Sequence, residues 1–195
     1  MAVVKYSEVD PVLYPAGADA PSNGSAVSWS AVLGGTVVAI ALTLVLLTLG
    51  SAFGLATISP WPGVGAKATS FTIGAGVWLI VTQWLSAMVG GYIAGRMRVR
   101  WHGLHTDEVF FRDTAHGFLT WSSATVVMAV IAVIASVLST NAAPAATVAA
   151  TPEMLDAARK AAATFAGFAG LSMVIGAFIG SVGGAVGGGL RDKHP

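Results

Sequence analysis

The ionisable side chains that could carry out chemistry are concentrated in one segment, residues 96–116, which holds four arginines, three histidines and three acidic residues. Imidazole nitrogens and carboxylate oxygens are common ligands of Zn²⁺ and Fe²⁺. The candidate ligands here are His102, His105, Glu108 and His116. Their HxxH spacing lacks the general base of the HExxH metalloprotease motif. The sequence therefore predicts that no metal is bound. The alternative is a metal site formed by these four residues.

The basic side chains of this segment are Arg96, Arg98, Arg100 and Arg112. One interpretation is that they contact anionic lipid headgroups, each contributing about 1 kcal/mol near a membrane surface. The other is that they mark the cytoplasmic side of a membrane protein and pair with nearby carboxylates. A helix is expected to start around Thr106, Asp107 and Glu108, because a hydroxyl and acidic side chains suit a helix N-terminus.

The sequence contains no motif for the other kinds of catalysis considered. The chain has no cysteine, which excludes disulfides, thiolate metal sites and cysteine nucleophiles. It has no GxSxG motif, and its glycine run at 183–187 ends a helix, whereas phosphate-binding loops begin one. A net charge of +1 argues against binding nucleic acid. The sequence therefore predicts a protein that is not an enzyme, with no catalytic residue and no cofactor.

The elements that position these side chains are almost free of charge. Hydrophobic residues make up 55% of the chain, charged residues 10%, and the mean hydropathy is +0.76, whereas a soluble domain carries about 25% charged residues. A helix needs about 20 residues to cross a hydrocarbon core. Four longer stretches lack Asp, Glu, Lys, Arg and His, and they are 29–56, 71–95, 117–140 and 165–190. The fold class predicted is an all-α membrane protein with four transmembrane helices.

The fourth helix is expected to begin before its charge-free stretch. Thr151, Pro152 and Glu153 combine a capping hydroxyl, a proline at the first helical position and an acid in the first turn. We therefore predict a helix over 152–190, with the part before residue 165 outside the bilayer.

The distribution of lysine and arginine predicts the orientation. Seven of these residues lie in 1–28, 96–116 and 191–195, against three in the other two connections. Under the positive-inside rule, both termini and the 96–116 segment are cytoplasmic. Residues 1–28 are expected to form a flexible tail, with a docking arm that uses Tyr6 and Tyr14 as the alternative.

A sequence pattern occurs twice. VGGxxxGxxR over residues 89–98 recurs over residues 182–191, Gly74 matches Gly167, and the first and third spans both contain Trp-Ser. Such matches predict two helical hairpins of the same orientation, arranged as a parallel repeat. The alternative is convergence, since any helix ending in glycine and arginine at a membrane exit looks similar.

Small residues at four-residue spacing predict close helix packing, because helices in lipid associate through close backbone approach. The predicted packing positions are Gly176, Gly180, Gly184, Gly188, Ala87, Gly91, Gly95, Gly50 and Gly54. One arrangement is packing between the second and fourth helices of one chain. The alternative is that the glycines form an interface between copies or line a pore. Gln83, the most polar residue within the spans, is predicted to contact a neighbouring helix, with a pore-lining role as the alternative.

The sequences VGGYIAGR at 89–96 and HGFLTW at 116–121 resemble a group of small bacterial four-span membrane proteins of unassigned function, some of them labelled PhnA-like. The resemblance covers about residues 29–190. It implies a protein of the bacterial inner membrane and implies no activity. The zinc-ribbon chemistry that the label suggests needs cysteines that the chain lacks.

These observations predict an integral inner-membrane structural or accessory protein that self-associates or docks on a larger membrane complex through its glycine faces, with lipids as further partners. No Asp, Glu, His, Lys or Arg lies in the spans, and pumps and ion-coupled carriers depend on such residues. The alternative function is a glycine-lined channel for small or uncharged solutes.

Overall fold

The computed structural model describes residues 25–59, 67–100, 105–142 and 151–193. Within these ranges the chain is helical and contains no strand. The four helices are α1 (Trp29–Thr57), α2 (Ala68–Met97), α3 (Thr106–Ala142) and α4 (Pro152–Lys193). All four are long and apolar enough to cross a membrane, which confirms the predicted helical class. The tail with Tyr6 and Tyr14, and the candidate ligand His102, lie outside the described residues.

The third helix begins at Thr106, as the residue types at 106–108 predict, and it runs on into the charge-free stretch that starts at residue 117. Asp107 and Glu108 occupy its first turn, where acidic side chains interact favourably with the helix dipole. The helix then continues without interruption into the charge-free stretch. The ionisable residues 107–116 therefore belong to the same rigid element as the third span.

The start of α4 matches the sequence prediction. The hydroxyl of Thr151 accepts a hydrogen bond from the backbone N–H of Met154 at 3.3 Å. Outside the span predicted from residue 165, hydrogen bonds from its own backbone N–H and from the Thr151 hydroxyl lower the pKa of Glu153. Because α4 has 42 residues, it is roughly 63 Å long. That is about twice the hydrocarbon thickness of a bilayer.

The helix α2 lies at the centre of the bundle. It contacts α1, α3 and α4, whereas α1 and α4 do not contact each other within the described residues. A twofold axis relating the two hairpins would make the α2–α3 pair equivalent to the α4–α1 pair. The observed contacts are not equivalent, so the duplication of the hairpins stays a prediction from sequence.

Four glycines of α4 contact the backbones of α2 and α3, an interface that we call the glycine seam: Gly180, Gly183, Gly184 and Gly187. A methyl group at Gly187 would overlap the carbonyl oxygen of Tyr92 in α2, and one at Gly184 would overlap that of Asp113 in α3. Only a residue without a side chain permits this approach. The helices of one chain therefore use these glycines to pack against each other.

The two ends of the bundle differ. We call the end where α1 and α3 begin and α2 and α4 finish the inner end, and the opposite end the outer end. The glycine seam and the buried residues of α1 lie toward the inner end. Toward the outer end, every residue of α3 from 129 to 139 is exposed. The outer part of α3 is thus exposed, while the inner ends of the helices are packed together.

The glycine seam predicts a position-specific cost of adding a methyl group. In Gly187→Ala the new carbon would lie 2.9 Å from the backbone nitrogen of Arg96 as well as overlapping Tyr92, and neither backbone group can rotate away. We expect a loss of about 1–3 kcal/mol in unfolding free energy, measured by detergent-driven unfolding followed by circular dichroism.

The matched control is Gly170→Ala, because a methyl group there would have nothing within 4 Å. Alanine is the better helix former, so this variant should be unchanged or up to about 1 kcal/mol more stable. Equal stability of the two variants would contradict the role given to the seam.

Candidate functional site

Three charged side chains meet at the inner end, one directly after α2, one in α3 and one in α4, and we call them the arginine–aspartate cluster: Arg98, Asp113 and Arg191. The Nε of Arg98 donates a hydrogen bond to Oδ1 of Asp113, and Nη1 of Arg191 lies 4.0 Å from the same oxygen. Their side chains are 0%, 4% and 10% exposed, in the order Arg98, Asp113, Arg191. One carboxylate therefore lies between two guanidinium groups away from water.

A glycine makes room for this cluster. A methyl group at Gly188 would overlap the carboxylate of Asp113. Asp113 can therefore reach both arginines only because α4 has no side chain at this position. The spacing of the glycines along α4 thus serves the charged cluster as well as the backbone contacts.

The ends of α2 and α4 also hydrogen-bond to each other. Arg191 donates from Nη1 to the carbonyl oxygens of Gly95 at 3.2 Å and Arg98 at 3.3 Å. Arg100 donates from Nη2 to the carbonyls of Arg191 at 3.1 Å and Asp192 at 2.9 Å. The last carbonyls of a helix lack partners within the helix itself. Each helix therefore supplies an arginine to the C-terminal end of the other.

His116 connects α3 to the start of α1. Its Nε2 accepts the backbone N–H of Ser28 at 2.8 Å, and its Nδ1 lies 2.6 Å from the carbonyl oxygen of Arg112. One ring nitrogen must accept and the other must donate, so the imidazole is neutral, with its proton on Nδ1. The side chain of Ser28 makes no capping hydrogen bond, and His116 caps α1 instead. This histidine, 1% exposed, has a structural role.

The alternative metal ligands are not brought together. No group of three or more His, Asp or Glu side chains suited to a metal ion occurs in the part of the chain that the structure describes. The imidazole of His105 is 85% exposed and lies 3.7 Å from Asp107, while Glu108 pairs with Arg112 at 2.6 Å. With both nitrogens of His116 also engaged, the described members of the set have other partners.

The four arginines fall into two groups. Arg98 is buried, which corrects the expectation that it contacts a lipid headgroup, and Arg112 pairs with Glu108. Both arginines therefore pair with nearby carboxylates, which was the other interpretation of the sequence. Arg96 is half-buried and Arg100 reaches the C-terminal end of α4 at the rim. A headgroup contact is therefore geometrically open to Arg96 and Arg100.

The predicted packing residues lie at three different contacts. Gly91 and Gly95 of α2 face the carbonyls of Gly180 and Gly184, and Ala87 is buried on the same helix. A methyl group at Gly176 would lie 2.8 Å from Nε2 of Gln83 and 2.6 Å from Nε1 of Trp121. Gln83 thus contacts α4, as the interhelical interpretation expects.

The remaining two glycines, Gly50 and Gly54, lie outside the seam. A methyl group at Gly50 would overlap the indole of Trp78, and one at Gly54 would lie 3.2 Å from the ring of Phe71. Both therefore pack α1 against α2 near the outer end, where aromatic rings rather than backbones fill the space.

Sequence reasoning missed Asp113 as the central residue of the cluster. The signal was present, because the arginines matched by the repeated pattern, Arg98 and Arg191, both need a counter-charge if they are buried. It also missed the capping of α1 by His116, since Ser28 and His116 are far apart in the chain. Comparison with protein-family models, with curated proteins and with solved structures finds no match for this chain.

The cluster predicts that Asp113 is the most sensitive charged position. Asp113→Asn keeps the shape of the side chain but removes the carboxylate that pairs with the buried Arg98, while Arg191 keeps its ion pair with Asp192 at 2.9 Å. We expect a loss of about 3–5 kcal/mol in unfolding free energy. Glu108→Gln is the control, because it breaks an ion pair whose carboxylate side is 45% exposed and should cost at most about 1 kcal/mol. Similar losses in both variants would show that the buried carboxylate has no special role.

The cap on α1 predicts a local effect at His116. His116→Phe removes the acceptor for the Ser28 N–H, and we expect faster amide hydrogen exchange at Ser28 and in the first turn of α1. The cost of losing a helix cap is about 0.5–2 kcal/mol. His105→Phe, at a largely exposed position, is the control and should leave this exchange unchanged. Unaltered exchange in His116→Phe would rule out the capping role.

Proposed function

We propose that this chain is an integral structural or accessory protein of the bacterial inner membrane, which associates with a second copy or with a larger membrane complex. Four helices of sufficient length and hydropathy support a multi-pass location. The buried groups of the described residues support a structural role, because the charged cluster joins helix ends and the glycines join backbones. The described geometry thus accounts for these side chains through packing, without a reaction.

The surface available for association is not the glycine seam. Gly91, Gly95, Gly180 and Gly184 contact one another within the chain, which favours packing within one chain over an interface between copies. The outer half of α3, residues 126–139, is exposed and apolar, and from residue 129 onward it is exposed on all sides. We call it the outer α3 surface. This is the observation that carries the proposal.

The residues of the outer α3 surface suit helix association in lipid. Ala132 and Ser136 are four positions apart, as are Ala135 and Ser139. Small residues at this spacing let a second helix approach closely. The hydroxyls of Ser136 and Ser139 already donate to carbonyls of α3 at 2.8 Å and 2.7 Å. Because the hydroxyl hydrogens are used within α3, contact with a partner helix would rest mainly on packing.

The alternative of a glycine-lined channel receives no support from the described residues. Gly176 is covered by Gln83 and Trp121, and Gly180 and Gly184 lie against the backbones of α2 and α3. Water or solute could pass along these glycines only if the seam separated, which would break the most extensive contact of the bundle.

The proposed orientation has the inner end in the cytoplasm. Arg96, Arg98, Arg100, Arg112 and Arg191 all belong to that end, whereas Arg159 and Lys160 lie near the start of α4 at the outer end. The positive-inside rule then places both termini in the cytoplasm. The resemblance to small bacterial four-span proteins agrees with this location and stays an expectation.

The natural absence of cysteine allows a direct test of the outer α3 surface. Single cysteines at Val133, Ile134 and Leu138, which are 62%, 54% and 64% exposed, would be oxidised in native membranes. Self-association predicts a disulfide-linked product of twice the 19.7 kDa chain mass from the positions on one side of α3. A photoreactive maleimide attached to the same cysteines would capture a partner that lacks thiols.

Ala94→Cys is the matched control, since Ala94 is fully buried at 0% exposure and should form no product. The proposal is overturned if none of the three outer positions cross-links by either chemistry and the gently solubilised protein has the mass of one chain. A product of twice the chain mass assigns the surface to a second copy, and a different product mass assigns it to a larger complex.

A further inference from the structure

A groove lies at the outer end of the bundle, between α1, α2 and one residue of α4. It has a volume of about 660 Å³, and the α4 residue in its wall is Phe165. Because α1 and α4 do not contact each other within the described residues, the two helices leave a gap beside α2. The groove occupies this gap and is bounded by residues of all three helices. We call it the outer groove.

The wall of the outer groove is held in place by internal contacts. The indole N–H of Trp78 donates to the carbonyl of Leu46 at 2.9 Å, and Phe53 packs edge-on against the indole with ring centroids 6.1 Å apart. Gly50 leaves the space that the indole fills. The shape of the groove is therefore set by the fold and does not depend on a ligand to form it.

The lining offers almost no hydrogen-bonding capacity. Ser51 donates to the carbonyl of Leu47 at 2.9 Å, and Thr57 donates to that of Gly54 at 2.8 Å. With the indole of Trp78 also engaged, these three polar groups are satisfied within their own hairpin, and Ser70 adds one exposed hydroxyl to an otherwise mostly apolar lining. A ligand in this groove gains van der Waals contact and loses any hydrogen bond it made in water. The chemistry of the lining therefore selects a hydrocarbon.

We propose that the outer groove binds the hydrocarbon chain of a membrane lipid, which enters from the side between α1 and α4. This inference rests on the proposed membrane location. A partner helix is too wide for the groove, because a helix about 10 Å across would occupy 660 Å³ over only about 8 Å of its length. A lipid chain is thinner and enters at the depth where the wall is apolar. Gly74 provides the space, since a methyl group there would have nothing within 4 Å.

The test uses a phospholipid with a photoreactive diazirine in one acyl chain, reconstituted with the full chain in phosphatidylglycerol vesicles. Labelled peptides are quantified by mass spectrometry. Lipid around the protein labels the outer α3 surface in proportion to its concentration. The proposal predicts additional labelling of residues 47–57 and 70–79 that saturates and is competed by unlabelled lipid.

Gly74→Leu places a side chain in the groove. We expect groove labelling, relative to labelling of the outer α3 surface, to fall about tenfold. The matched control is Gly167→Leu, because Gly167 also has open space beside it and does not line the groove. This control should keep wild-type labelling, and circular dichroism should show both variants folded.

The outcomes separate this inference from the proposed function. Non-saturable labelling of the groove in the wild-type protein, or equal labelling in Gly74→Leu and Gly167→Leu, overturns the groove proposal while labelling of α3 still shows membrane insertion. Absence of labelling on α3 as well overturns the membrane location itself. The wild-type saturation experiment decides the question even if Gly74→Leu does not fold.

Discussion

Direct backbone contact between α4 and its neighbours is the constraint on which the rest of the structure depends. Gly183 and Gly187 lie against the backbone of α2, and Gly184 lies against that of α3. Helices surrounded by lipid gain little from burying apolar side chains, so close approach and van der Waals contact must hold them together. Each glycine weakens its own helix by about 1 kcal/mol relative to alanine, and the contact it permits is what offsets that cost.

The charged cluster follows from the same close approach. Because Gly188 has no side chain, Asp113 fits between Arg98 and Arg191. Burying charges is unfavourable unless each is paired and hydrogen-bonded, and here the arginines also donate to main-chain carbonyls. The inner end is thereby joined by polar contacts that operate only when three helices are in register. The cluster thus contributes specificity of arrangement as well as stability.

The outer end has the opposite character. Within the described residues every position of α3 from 129 to 139 is exposed, and α1 and α4 are separated by the outer groove. A bundle fixed at one end and open at the other can present apolar surface to lipid and to a partner without unfolding. The proposals of a docking helix and of a lipid-binding groove both depend on this division.

Single residues show what local sequence could reveal and what it could not. Thr151 caps the start of α4, as its residue type indicates. Such a cap is local, because the hydroxyl accepts a hydrogen bond from a backbone N–H only three residues along the chain. The four spans are likewise local, since an uncharged stretch of sufficient length is enough to indicate each one. By contrast, the glycine spacing indicated that α4 packs closely against another surface but did not indicate which surface. The same pattern fits a second copy, a pore or a neighbouring helix of the same chain.

The sequence by itself therefore determined the number and the approximate bounds of the helices, and some of the positions where backbones approach, although Gly183 and Gly187 were not among the predicted ones. Only the tertiary structure decided that α2 and α3 cover the glycines, that Asp113 joins two arginines, and that His116 caps α1. The physical reason is distance along the chain. Asp113 and its partner Arg98 are 15 positions apart, and His116 and its partner Ser28 are 88 positions apart. Nothing in the local sequence specifies which distant group will fill a buried polar position.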